Sequence, residues 1–139
     1  MRVLFVGAAT TQGGSQLYCE WREYPGAPYF HTGPRIAIRD AKLTAPGSPP
    51  LPVPVGQWFH VEMSASQGDQ ADGTWQLTVA FPGALPKQYD LKTASPSFRV
   101  TTWLGFVSDG TQPTVYYLDN LHLSSDIGGG QPADARAER

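Results

Sequence analysis

Only one cysteine, Cys19, occurs in the chain. A single thiol excludes an intrachain disulfide and any zinc site built on several thiolates, and it leaves the redox compartment open. Charge is sparse as well: Asp, Glu, Lys and Arg make up 16% of the residues, against roughly 25% in an average soluble domain. The ten Lys and Arg residues are scattered and the formal net charge is -2. No basic stripe of the kind that neutralises phosphates is visible, so nucleic acid is a poor candidate partner. Long apolar runs are also missing. Stretches such as Val3 to Ala8 fall far short of the roughly 20 residues that cross a bilayer, and no membrane span is expected. With Met1 and Arg2 ahead of it, that stretch faintly imitates a signal peptide, but its length favours a buried strand. Finally, 13 prolines and 15 glycines interrupt every window in which apolar residues could recur at helical spacing for three turns, so long helices are not expected.

What is present is alternation. In Thr74-Trp75-Gln76-Leu77-Thr78-Val79-Ala80-Phe81 every second residue is large and apolar, the pattern of a strand with one dry and one wet face. Upstream, Phe59, Val61, Met63 and Ala65 alternate with Trp58, His60, Glu62 and Ser64. The polar stretch from Ser66 to Gly73 ends in Asp-Gly, which predicts an antiparallel hairpin. Further strands are expected at Val3 to Ala8, Leu17 to Tyr24, Arg35 to Arg39, Arg99 to Val107 and Val115 to Leu123. Seven or so short strands between Gly, Pro, Asp and Ser turns indicate a sandwich or barrel. The proline-rich stretch from Thr44 to Pro54 reads as a stiff surface crossover, since each Pro removes a ladder donor. With 139 residues there is room for one domain, expected over residues 1–123, and residues 124–139, which bury nothing large, read as a flexible C-terminal tail.

Three segments in order resemble a known family. They are Glu20-Trp21-Arg22 leading to Gly33-Pro34-Arg35-Ile36-Ala37-Ile38; Gly56-Gln57-Trp58-Phe59-His60-Val61-Glu62 leading to Gly73-Thr74-Trp75-Gln76-Leu77-Thr78-Val79; and Trp103-Leu104-Gly105-Phe106 leading to Val115-Tyr116-Tyr117-Leu118-Asp119-Asn120-Leu121. Together they are similar to the C-terminal portion of concanavalin A-like, laminin-G-like jelly rolls of carbohydrate-associated proteins. The resemblance implies an all-β, antiparallel two-sheet jelly-roll sandwich whose concave face often holds an oligo- or polysaccharide and often a structural calcium ion. It suggests an extracellular or cell-surface setting. Because the match begins close to Met1, it implies either a minimal jelly roll or one whose opening strands are truncated or supplied by a partner. A missing strand would leave an unpaired edge and favour a homo-oligomer.

The sharpest candidate surface lies on the strand from Leu17 to Tyr24. Period two places Tyr18, Glu20, Arg22 and Tyr24 on one face and Leu17, Cys19 and Trp21 on the other. Two tyrosines flanking an ion-paired Glu and Arg suit a sugar, with flat apolar faces for pyranose C–H surfaces and charged groups for hydroxyls. The alternative is a solvated face with a weak surface ion pair. Trp58 and His60, with Glu62, form a second such face, and one shared sheet would join the two faces into a platform. Trp75 and Trp103 stand among Leu, Val and Phe and read as core.

Asp119 lies in a mostly apolar strand, where a buried carboxylate needs a partner. In the related jelly rolls the equivalent Asp is often a calcium ligand, which implies that role here; a hydrogen-bonded strand-end Asp beside Asn120 is the alternative. Catalysis has less support. The Glu-x-Asp-x-Glu strand of retaining glucanases on this fold is absent. Arg22, His60 and Tyr18 match the residue types of a polysaccharide lyase without its usual Gln-x-His string. The leading expectation is therefore a non-catalytic carbohydrate-binding or adhesion module, followed by an interaction domain that associates through its sheet edges, and then by a lyase.

Overall fold

The computed structural model describes residues 1–9, 16–109 and 115–125. Among the described residues ten strands are formed: β1 (Arg2–Ala9), β2 (Gln16–Gly26), β3 (Tyr29–Arg39), β4 (Lys42–Thr44), β5 (Leu51–Pro52), β6 (Phe59–Ser64), β7 (Thr74–Ala80), β8 (Lys87–Lys92), β9 (Trp103–Asp109) and β10 (Tyr116–Ser124). They make two antiparallel five-stranded sheets, ordered β10-β1-β6-β7-β8 and β5-β4-β3-β2-β9. First and last strands pair in one sheet, second and second-to-last in the other. This nested pairing is that of a jelly-roll β-sandwich, as the sequence predicts. The helical content of the described residues is a single 3-10 turn at Gly68–Gln70, and no helix among them is long and apolar enough to cross a membrane.

The alternation dictates which way each strand faces. Val3 and Phe5 of β1, Phe59, Val61 and Met63 of β6, and Trp75, Leu77 and Val79 of β7 point inward from the first sheet. They meet Cys19 and Trp21 of β2, Ile36 and Ile38 of β3 and Leu43 of β4 from the second. Full burial of each large side chain is worth about 1.5–3 kcal/mol against exposure, so these rows decide the fold. Phe5 packs edge-on against Phe106 with ring centres 5.0 Å apart, which sets β1 over β9. On the opposite side Leu91 of β8 reaches the loop after β4 at Gly47. Phe98 fills the core against Gly33, where an added Cβ would stand 2.6 Å from its ring.

The β6–β7 hairpin forms as Asp-Gly predicts. Asp72 Oδ1 accepts from the Thr74 amide at 3.0 Å and from its hydroxyl at 2.6 Å, which holds the Asp72 carboxyl below the usual carboxylate range. Gly73 takes a φ of 80°, which only glycine adopts freely.

Several expectations need correction. The proline-rich segment is not purely a crossover, because Leu51–Pro52 pairs with β4 as a short edge strand, a place where a missing donor costs little. β8 was not anticipated: among its six residues only Leu91 is fully buried, so it shows little alternation. The expected strand from Arg99 starts only at Trp103, because the Arg99 amide donates to Glu23 Oε1 and the Thr102 amide to the Arg22 carbonyl. β10 runs through Ser124, one residue into the expected tail; residues 126–139 lie outside the described residues.

Candidate functional site

Cross-strand partners share a face, so the register maps both outer surfaces. On the second sheet the rows run Trp103, Arg22, Thr32; then Gly105, Glu20, Arg35; then Val107, Tyr18, Ala37, Thr44. Arg39 and Lys42 are directly opposed at one end. Tyr18, Glu20, Arg22 and Tyr24 thus stand on one outward face, as period two requires.

Their contacts form a stacked network. The Arg22 guanidinium lies 4.2 Å from the Phe30 ring centre and 4.3 Å from that of Trp103. Its Nε donates to Glu20 Oε1 and its Nη1 to the Tyr24 hydroxyl at 3.0 Å. The second Glu20 oxygen lies 3.0 Å from Arg35 Nε, an ion-pair distance without hydrogen-bond alignment. Arg35 in turn covers the Tyr18 ring at 4.5 Å. Glu20 is only 5% exposed although it points outward, because the two guanidiniums roof it over. Ion pairing with Glu20 and bonding to Tyr24 outweigh desolvation and raise the Arg22 pKa, so this group stays cationic. Sequence reasoning found the four β2 residues but missed Phe30, Arg35 and Trp103, which come from neighbouring strands. Trp103 is not core: it pairs with Arg22 and lies over Gly105, whose missing side chain leaves room for the indole. Trp75 is buried, as expected, and its Nε1 donates to the Lys92 carbonyl at 3.1 Å.

Trp58 and His60 do not join this face. β6 belongs to the first sheet, so they stand on the opposite outer surface of the sandwich, and one platform with Tyr18 is ruled out by geometry. For the same reason Arg22, Tyr18 and His60 do not converge as lyase chemistry needs. On the first sheet His60 shares a row with Val6 and Asp119, and Glu62 one with Leu4 and His122. A shallow depression of about 280 Å³ is lined by His60, Glu62, Thr78, Asn120 and His122 over a floor including Leu4. One row further, Trp58 and Tyr117 are 47% and 52% exposed and their rings tilt together with centres 6.3 Å apart. A wider hollow of about 950 Å³ continues across the same sheet past Arg2, Ser64, Gln76, Asp90 and Lys92. Gln88, Gln76 and Asp90 are linked by hydrogen bonds of 3.2 and 3.0 Å, and Arg2 pairs with Glu62 at 2.8 Å.

Asp119 is exposed rather than buried, and its Oδ1 accepts from the Asn120 amide at 2.8 Å. That bond caps an irregularity in the β1–β10 pairing, where Asn120 has a φ of 54°. No group of three His, Cys, Asp or Glu among the described residues converges as a metal cage. No family model matches the chain, and neither a curated protein nor a solved structure matches it significantly.

Proposed function

We propose that the chain is a non-catalytic glycan-binding or adhesion module that takes an oligo- or polysaccharide along the outer face of the first sheet. The observation that carries this reading is the exposed Trp58–Tyr117 pair at the end of a trough lined by His60, Glu62, Asn120 and His122. Aromatic faces bury the apolar side of a pyranose, while the imidazoles, carboxylate and amide meet its hydroxyls. Two large rings left half in water side by side on an outer sheet face form the kind of exposed apolar patch that marks a binding surface. Titration calorimetry after a glycan array tests the reading: Trp58→Ala and His60→Ala weaken the sugar found, and binding indifferent to both sinks it.

A second reading is favoured by a different observation. Leu118, Leu121 and Leu123 on the edge strand β10 are each at least 40% exposed. Such an apolar edge strand suits association with another protein chain. A defined oligomer in sedimentation, lost in Leu121→Lys, together with no sugar bound, would prefer this reading.

A further inference from the structure

We infer that the outer face of the second sheet is a separate binding site for an anionic polysaccharide, its carboxylate or sulfate groups held by Arg35, Arg39 and Lys42, with the guanidiniums of Arg22 and Arg35 fixed by the rings of Tyr18, Phe30 and Trp103. In sequence the cations look scattered, yet the register brings Arg22 and Arg35 to neighbouring rows and sets Arg39 directly opposite Lys42 on the same face. Glu20 is shared by two guanidiniums, so the central cluster of two cations and one anion keeps a net positive charge. Arg39 and Lys42 are exposed; Arg39 has only a loose pairing to Asp40, at 3.9 Å between side chains that are both more than 60% exposed. Asp109 ends the same row as Arg39 and Lys42, and Asp40 lies in the adjoining turn, so the face keeps a small positive excess in a chain of net charge -2, and that excess complements a polyanion.

Shape narrows the ligand. Arg35 and Arg39 lie on one strand four residues apart, so the cations reach over about 13 Å at roughly 3.3 Å per residue, longer than one sugar ring. Rings stack on the guanidiniums: Tyr18 lies beneath Arg35, and Trp103 and Phe30 lie against Arg22, one row beyond Arg35 on the side away from Arg39. Guanidiniums fixed by stacking and spaced along the face match the repeating anionic groups of acidic pyranoses. Glu20 is a positioning residue here. It holds both guanidiniums in place before a ligand arrives, which reduces the ordering cost of binding.

The site and its ligand class stand apart from the trough on the first sheet, and the test separates the two. Titration calorimetry on the full chain uses two matched pairs of probes: polygalacturonate against its methyl ester, and dextran sulfate against dextran. The members of each pair differ in their anionic groups. At least one anionic member is expected to bind about tenfold more tightly than its neutral partner, and to weaken as salt rises, since exposed charges are screened within about 10 Å at 0.1 M. Which pair responds tells carboxylate from sulfate. Arg39→Gln with Lys42→Gln, both at exposed positions that leave the fold intact, should reduce that affinity several-fold, and Trp58→Ala should leave it unchanged. Equal binding of both members in both pairs overturns the inference. So does binding indifferent to the double substitution, or a single-stranded oligonucleotide that binds as tightly as the better polysaccharide. Loss of binding in Trp58→Ala alone assigns the ligand to the first sheet and likewise overturns it.

Discussion

Replacing Glu20 with Gln removes the one negative charge from a cluster that holds two guanidiniums, while preserving shape. Taking one partner from a fully buried ion pair costs about 3–5 kcal/mol, and from an exposed one about 0.2–1 kcal/mol. The Glu20 side chain is 7% exposed, that of Arg22 17% and that of Arg35 35%. Arg22 therefore belongs near the buried scale, whereas Arg35 is solvated enough to belong near the surface one. The combined cost is about 2–3 kcal/mol once the Arg35 share is discounted for solvent. For a domain of this size that corresponds to a fall of about 6–12 °C in Tm. The assay is paired urea and thermal unfolding followed by circular dichroism, with Glu62→Gln as the internal reference. Glu62 makes the same kind of pair with Arg2, at 2.8 Å, but between side chains 34% and 49% exposed, so its loss should cost at most about 1 kcal/mol. If Glu20→Gln costs no more than Glu62→Gln, the roofed carboxylate is not the anchor of the stacked network, and the preorganisation argued for the second sheet fails with it.

Other outcomes follow from single contacts. Gly105→Ala places a methyl group 2.6 Å from Trp103 Cζ2; the indole must swing off Arg22, giving a red-shifted, more quenchable tryptophan signal and weaker anion binding, and an unchanged spectrum refutes the stack. Trp21 Nε1 is buried without a hydrogen-bond partner among the described residues, while Trp75 Nε1 donates to Lys92. Trp21→Phe should therefore cost about 1 kcal/mol less than Trp75→Phe in urea unfolding. Burial, with the neighbouring Glu20 charge, pushes the Cys19 thiol up to about 12 from 9.0. The folded state thus favours the protonated thiol: its contribution is fully present below pH 9 and is lost as pH rises towards 12. Cys19→Ala should flatten that part of the stability profile, and in the native protein Cys19 should be inert to thiol reagents at pH 8.

The sequence made the face of each strand legible, but not its neighbours. Alternation placed Tyr18, Glu20, Arg22 and Tyr24 together because a strand's two sides are a local property. Whether Trp58 shares their surface depends on which sheet β6 joins, and nothing within Trp58-Phe59-His60 encodes that. Trp103 failed for a related reason. The run Trp103-Leu104-Gly105-Phe106 is apolar in both phases, and only pairing with Arg22 and the open space over Gly105 turn the indole outward. Burial of Glu20 was invisible too, since its cover includes Arg35 from β3. Asp119 was read as buried from its apolar neighbours, yet those neighbours lie on an edge strand and are themselves exposed. β8 hid in a polar stretch because an edge strand needs few apolar residues to hold its place.

The four edges of the sandwich are unequal in kind. At β5 the edge carries Pro52, which has no amide to offer, and at β8 it carries Lys87, Asp90 and Lys92, which resist an incoming strand. β9 and β10 lie together on the other side, where Phe106 meets Phe5, and it is β10 that carries the bare leucines. A body with bare leucines on one flank and blunted edges on the other has a direction. Were two such bodies to join flank to flank, only blunted edges would face outward, and association by added strands would close at a pair.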